Sequence, residues 1–574
     1  MALLSLAGAT RFTRLAAAPD EPAISTLSIV GTSDLHGAAL PTTGLGGLPL
    51  FAGYVNNLRA TRASDGGSVL LIDSGDTFLG TIESNLSEGA LVVDAYNAMA
   101  YTAATVGNHD FDFGSIDSPG ARQLPGDLRG ALKARAAQAR FPFLAANVID
   151  EETGRLVNWP NIRPSAIVKA AGVTIGIVGV MTIDALRSTL AANVKGLRVV
   201  PPGPAIAAEA AKLRAAGAEV VIVAAHAGGR CDRFDDPEDL ASCDDDSEIF
   251  QVARSLPHRL VDVIAAGHTH SALAHRVNGI AIIQPFSRGQ AFGRVDVVFD
   301  RQTRKVARMR LFAPQHLCRG TRGATLNCGP AAESTAPVQY EGRRVEYDRA
   351  VEDAMAPAIE RVRHLQATTL GRSLDAPIHR GSDLGSPLGD LFADALRDAV
   401  RGADVGVVNT ATRGLRADLP SGPLTFGRLY DVFPFDNRIA QMTMSGAALR
   451  GWVANEIRQG RLSGLGISGA DVRIDCPAAD GTQVDLLRGD GRAIQDDDRL
   501  LVVTIASPTL SGNVAMAASP GSIGPTDKSP IVREVVEEWL RQPDRLLPGQ
   551  PGASRDRIVF ANGRAAGCVA SRSR

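Results

Sequence analysis

The chain has 574 residues, 45% of them hydrophobic and 21% charged, the balance of a folded protein with room for at least two ordinary domains. Its 60 basic and 62 acidic residues leave a formal net charge of −2, which excludes the basic field of a nucleic-acid polymer binder and a polybasic membrane patch. An anionic substrate would have to be attracted by a local site.

In chain order, residues 1–22 combine a short apolar stretch with small residues at Leu15–Ala18, interrupted by Arg11 and Arg14, which fits either a leader peptide or a disordered tail. From Thr26 to Ala313, short apolar runs alternate with Ala- and Leu-rich helical stretches. The predicted strands are LSIVGT (27–32), VLLID (69–73), TIGIVGV (174–180), EVVIVAAH (219–226), VDVIAAGH (261–268) and IAIIQP (280–285). Helices are predicted at Leu48–Arg62, Leu91–Ala98 and Pro204–Ala216. This rhythm predicts an α/β domain whose strands are covered on both faces. The longest apolar run, near Val173–Met181, is too short for a bilayer, so no membrane span is expected.

Residues 314–337, rich in Gly, Thr, Pro and Cys, predict irregular structure, and Val345–Leu365 a charged connecting helix. A second mixed region follows from Thr368 to Phe560, with a helix at Leu388–Val400 and a strand at 404–410. A turn-rich passage then ends in VFPFDN (432–437), followed by a helix at Gly446–Gln459, a strand at 499–506 and a loop at 507–529. The expected organisation is a leader or tail (1–22), a first domain (23–335), a connecting segment with its helix (336–367) and a second domain (368–566).

Six cysteines stand at 231, 243, 318, 328, 476 and 568. Two close pairs, Cys231 with Cys243 and Cys318 with Cys328, suggest disulfides and a periplasmic or extracellular location; free thiols in a cytosolic enzyme are the alternative. Cys476 and Cys568 remain as a possible third pair.

Five polar clusters each close or follow an apolar run: SDLHG with Asp34 and His36, DSGD with Asp76, GNHDFD with Asn108, His109, Asp110 and Asp112, then His226, and GHTH with His268 and His270. Strand ends are where α/β sheets gather distant residues around a ligand. An extended backbone would send Asp34 and His36 to one side, and His268 and His270 likewise. Imidazole, carboxylate and amide oxygen without thiolate suit divalent ions such as Zn²⁺ or Mn²⁺. Seven such side chains exceed the needs of one tetrahedral ion, whereas two ions sharing a carboxylate use them all. Taken singly, each motif has a plainer reading, as a turn or as a satisfied core histidine. The ordered set is what points to metals.

This series resembles the calcineurin-like metallophosphoesterases, specifically the bacterial 5′-nucleotidase and UDP-sugar hydrolase family, along nearly the whole chain. The resemblance implies a metallophosphatase β-sandwich flanked by helices, plus a smaller α/β substrate-binding domain. It implies Asp34, His36, Asp76 and His270 on one metal and Asp76, Asn108, His226 and His268 on the other, with Asp76 bridging. His109 would stabilise the transition state or leaving group, oriented by Asp112. RGLRADLPSGPLTFGRLYDVFPFDN (413–437) resembles the substrate-binding stretch, with Arg416 on phosphate, Phe435 against a base and Asn437 beside it; Arg380 is a further candidate.

Departures fall in the second half. NTATRGLR replaces the family's Asn-Gly-Gly-Gly-Ile-Arg run, Pro387 stands where Asn is common, and SPTLSGN after VVTIA offers no second stacking aromatic. The expected activity is hydrolysis of a phosphate ester by metal-bound hydroxide, with a nucleotide as the small-molecule substrate. Alternatives are a phosphatase or cyclic phosphodiesterase acting on another organic phosphate, and a catalytically silent binding protein.

Overall fold

Along Val220–His226 every residue is buried, yet successive side chains serve two different cores. Val220, Ile222 and Ala224 join an inner cluster, while Val221, Val223 and Ala225 join an outer one. That period-two division is how a strand covered on both faces reads. The computed structural model describes residues 24–42, 45–116, 126–318, 320–322, 325–327, 337–381, 385–409, 414–435, 437–475, 483–506, 529–548, 550 and 556–561. Residues 1–22, Cys328, Cys476, Cys568 and most of the 507–529 loop lie outside them.

Two sheets form the first half. A seven-stranded sheet runs in the order Lys305–His316, Ala291–Asp300, Ile24–Thr32, Ser68–Asp73, Ala103–Thr105, Phe143–Leu144 and Ile162–Arg163. A six-stranded sheet runs Ala272–Val277, Ile280–Pro285, Val263–Ala266, Val220–His226, Val173–Met181 and Ser165–Ala170. Their inner faces meet through Leu27, Ile29, Leu70 and Ile72 against Ile175, Ile177, Ile222 and Val263. Helices Gly47–Ser64 and Ala90–Ala98 cover the outside of the first sheet, and Pro202–Ala215 and Glu248–Ser255 that of the second. The result is a sandwich flanked by helices. Ile24–Thr32, Ser68–Asp73 and Ala103–Thr105 are mutually parallel, as are Val173–Met181, Val220–His226 and Val263–Ala266, so each set delivers its strand ends to one edge.

The connecting helix, Arg349–Ala367, is capped by Asp348, whose carboxylate accepts from the Ala350 and Val351 amides. Val351, Met355 and Ala358 are buried in the first half's outer core, so this helix packs as well as connects. The second half centres on a sheet ordered Ile439–Ser445, Arg499–Ile505, Val405–Asn409 and Leu465–Ser468, with Pro387–Ala399 and Val532–Arg541 on one side and Gly446–Arg458 on the other. It is mixed α/β, as expected.

Two stretches differ from the sequence reading. The turn-rich passage holds a strand at Gly422–Thr425 and a helix at Phe426–Val432, started by Thr425 accepting from the Arg428 amide. Its single buried turn carries too few residues for helical periodicity to show. The stretch read as irregular from 314 begins inside the long strand Lys305–His316 and includes the hairpin Gly320–Arg322 with Thr325–Asn327. Cys231 and Cys243 are disulfide-bonded as anticipated, and Cys318 is disulfide-bonded as well.

Candidate metal centre

The strand ends converge as the clusters suggested. Ligand atoms of Asp34, His36 and His270 lie within 4.8 Å of one another, and so do those of Asp76, His226 and His268. Asp76 Oδ2 stands between the groups, 3.3 Å from His226 Nε2 and 3.9 Å from His36 Nε2. Its Oδ1 is taken by the His109 amide at 2.8 Å, leaving Oδ2 to face both histidines.

The backbone gets there by a different route from the one expected. Asp34, His36, Asp76, His268 and His270 all have positive φ, between 49° and 74°, where L-residues pay a conformational cost. No extended pairing operates. His268 and His270, expected on one side, enter different groups because each bends the chain. Glycine matters at Gly107: a Cβ there would stand 2.3 Å from both the Asp76 amide nitrogen and its Oδ1.

Backbone carbonyls set the imidazoles. His226 Nδ1–H donates to the Ser74 carbonyl at 2.8 Å, so Nε2 faces inward. There it meets Asn108 Oδ1 at 2.9 Å, His268 Nδ1 at 3.1 Å and Asp76 Oδ2 at 3.3 Å. Asn108 Nδ2 donates away, to the Ser188 carbonyl at 3.4 Å, which orients its oxygen inward. His36 Nδ1–H donates to the Leu79 carbonyl at 2.9 Å, which aims its Nε2 at His270 Nε2, 3.0 Å away. A lone proton satisfies one acceptor, whereas four electron-rich atoms around one point suit a cation.

The groups also shift one another's protonation. Burial raises Asp34 to about 7, lowers His36 to about 4 and lowers His268 to about 4. Burial opposes ionisation of Asp76, but the charges of His226, His109 and His36 hold it well below the ordinary carboxylate range. Burial likewise opposes protonation of His226, which Asp76 and Asp34 lift to about 10. Acids and bases packed this closely trade one another's protons, and divalent charge relieves that competition.

His109 stands beside the centre, its ring centroid 5.4 Å from that of His36. Its Nδ1–H donates to Asp112 Oδ2 at 2.5 Å, which leaves Nε2 for a reacting group. Two partners that sequence reasoning missed hold Asp112: Thr189 Oγ1–H donates to Oδ1 at 2.5 Å, and Asn193 Nδ2–H donates to its main-chain carbonyl at 3.2 Å. Thr189 is 77 positions away on a loop with no motif, so no sequence signal marks it. Asp110 turns inward instead, accepting from the Thr77 amide at 2.9 Å and the Gly107 amide at 2.8 Å. It ties two ligand loops together. Buried Asp73 does similar work, accepting from Thr32, Tyr96, Thr77 and the Gly75 amide.

The second-half candidates gather only in part. The Arg416 guanidinium lies over the Phe435 ring, 5.0 Å from its centroid. Arg380 donates to the Arg416 carbonyl at 3.0 Å and pairs with Asp418. Asn437 donates its amide to the Ala506 carbonyl at 2.7 Å, which anchors a strand end. Among the described residues, no hydrogen bond, ion pair or ring contact joins Arg416 or Phe435 to the histidines.

Comparison with known proteins follows the same division. A family model described as calcineurin-like phosphoesterase matches residues 27–272, and one described as 5′-nucleotidase, C-terminal domain matches residues 362–518. Endonuclease YhcR of Bacillus subtilis is 26% identical over 87% of this chain, which spans 37% of that longer protein. Silent protein UshA(0) of Salmonella typhimurium is 25% identical over 78% of this chain and 79% of its own. The crystal structure of a 5′-nucleotidase precursor from Thermus thermophilus shares the fold, with a TM-score of 0.54 at 21% identity over 94% of this chain and all of that one. The chain belongs to the 5′-nucleotidase family, joining a calcineurin-like metallophosphoesterase domain to a 5′-nucleotidase C-terminal domain.

Proposed function

We propose that the chain is a two-metal phosphoesterase that hydrolyses a phosphate ester of a small molecule, with a nucleoside monophosphate as the leading substrate. The observation that carries this reading is the convergence of Asn108 Oδ1, His268 Nδ1 and Asp76 Oδ2 on the inward Nε2 of His226. Asp34, His36, His270 and Asp76 would hold one divalent ion, and Asp76, Asn108, His226 and His268 the other. Ions such as Zn²⁺ or Mn²⁺ held there would activate water and neutralise charge on the phosphoryl oxygens.

The remaining chemistry belongs to the chain's own residues. Burial opposes protonation of His109, but the hydrogen bond to Asp112 and the charges of Asp76 and Asp112 lift it to about 9. When protonated, its Nε2–H can donate to a phosphoryl oxygen and then to the departing alkoxide. Asp112, fixed by Thr189, keeps that ring in one orientation. Arg416 would meet phosphate, with Phe435, Asn437 and Arg380 around the rest of the ligand. Residues 23–335 form the catalytic unit in this reading, 336–367 the connector and 368–566 the substrate unit, behind a leader or tail over 1–22. The Cys231–Cys243 disulfide supports an exported protein.

One observation favours a second substrate class: Arg416 covers the Phe435 face a base would use. A phosphate ester without a base needs no rearrangement there. The test is metal-reconstituted protein against nucleotides, UDP-sugars, cyclic nucleotides and p-nitrophenyl phosphate, beside His109→Ala. Turnover of nucleotides that His109→Ala abolishes is expected. Turnover of p-nitrophenyl phosphate alone would favour the second class, and two bound ions with no turnover on any ester would defeat the enzyme reading.

A further inference from the structure

Among the described residues, one hydrogen bond joins the first half directly to the second: Asn85 Nδ2–H donates to the Tyr430 hydroxyl at 2.6 Å. Both ends of that bond lead somewhere. Asn85 Oδ1 accepts from the Gly80 amide at 2.8 Å, and the neighbouring Leu79 carbonyl is the one that orients His36. On the other side, Tyr430 is 3% exposed and its ring lies 4.8 Å from the guanidinium of Arg533. Arg533 also stands 6.0 Å from the Phe426 ring and donates from Nη1 to the Phe435 carbonyl at 3.0 Å. The connecting helix Arg349–Ala367 packs against both partners' elements, Ile82–Asn85 and Phe426–Val432.

We propose that Asn85, Tyr430 and Arg533 are positioning residues: they form a latch that fixes the Phe435 segment against the His36 side of the metal centre, and so determine whether a ligand can reach both at once. The inference rests on the proposed phosphoesterase reading for its kinetic consequence but not for its structural one. The connecting helix brings the two elements together, and this bond, the one direct hydrogen bond between the halves among the described residues, sets where Tyr430 lies relative to Asn85. Both of its partners are held by further contacts, so little freedom is lost in making it. The ends of the path are the Leu79–Gly80 peptide beside His36 and the carbonyl of the candidate stacking residue; losing the Tyr430 hydroxyl leaves the Asn85–Gly80 and His36–Leu79 bonds intact and frees the far end. A compact ester bound only at the metals is indifferent to the latch. A ligand spanning from the metals to Phe435 depends on it.

Tyr430→Phe removes the hydroxyl and keeps the ring under Arg533. Two readouts on the full-length, metal-reconstituted protein decide the matter. In hydrogen–deuterium exchange, peptides containing Gly80 and Phe435 should exchange faster in Tyr430→Phe; Asn85→Ala, which also removes the acceptor of the Gly80 amide, should speed the Phe435 peptide as well, and the double variant should exchange no faster than Asn85→Ala. In kinetics, kcat/KM for a nucleoside monophosphate should fall about threefold to tenfold, the range for losing one hydrogen bond, with p-nitrophenyl phosphate unchanged. Unaltered exchange in both single variants overturns the latch, and equal loss on both substrates reduces Tyr430 to a structural residue. If the native protein turns over neither substrate, the phosphoesterase reading fails and exchange alone decides the latch.

Discussion

Replacing Asp112 by Asn tests whether the carboxylate, rather than its shape, sets the state of His109. In the native protein Asp112 Oδ2 is 2.5 Å from His109 Nδ1, and Oδ1 is secured by Thr189. Burial alone would lower His109; the Asp112 hydrogen bond, with the charges of Asp76 and Asp112, instead raises it from 6.5 to about 9. At about 1.36 kcal/mol for each tenfold change, that rise is about 3 kcal/mol. The His109 side chain is 32% exposed, and solvent screening trims the usable part to about 1–2 kcal/mol. The folded value lies above the unfolded one, so this stabilisation is complete below 6.5 and is lost as pH rises through about 9. Asp112→Asn should therefore be less stable than the native protein by about 1–2 kcal/mol near about pH 6 and nearly equal to it near about pH 10. Imidazole NMR titration of chelator-treated protein should show His109 moving back toward its ordinary value. Denaturant melts at the two pH values should show the gap closing. Titration of His109 at the same pH in both proteins, or a gap independent of pH, would refute the reasoning. If His109 protonates the leaving group, kcat at neutral pH should also fall by about 100-fold or more.

Other outcomes follow from the same geometry. Asp76→Asn removes the oxygen facing both groups, so metal content by mass spectrometry should fall from two ions per chain to one or none, and activity with it. Chelation should lower the melting temperature, and divalent metal at about 100 times its dissociation constant should restore about 2.7 kcal/mol; a metal-independent melt would count against the centre. Asp110→Asn places an amide donor against either the Thr77 or the Gly107 amide and should cost about 1–3 kcal/mol, with weaker metal retention seen by calorimetry. Cys231→Ser with Cys243→Ser opens a 12-residue link and should destabilise the protein by about 3 kcal/mol in denaturant melts.

The sequence by itself determined the α/β plan of the first half and marked the polar clusters proposed to hold the metals. Buried strands such as Val220–His226 are continuous apolar runs, and each ligand group sits at or just beyond such a run, so local pattern was enough to find them. Even the disulfide could be read, because Cys231 and Cys243 are close in the chain. The family resemblance already implied how the ligands divide, and the tertiary structure supplied the physical means. His268 and His270 are two residues apart yet part company, because left-handed φ values at both override the alternation of a strand. The tertiary structure also gave Asp110 its role, accepting from the Thr77 and Gly107 amides, which the sequence left unassigned. Contacts at long separation carry no local signal: Thr189 with Asp112, Ser74 with His226, and Asn85 with Tyr430 span 77, 152 and 345 positions. Periodicity records which face of a strand or helix is buried. Which distant backbone carbonyl holds an imidazole, and which arginine lies over Phe435, depends on how the folded elements pack, and that is fixed only when the chain closes on itself.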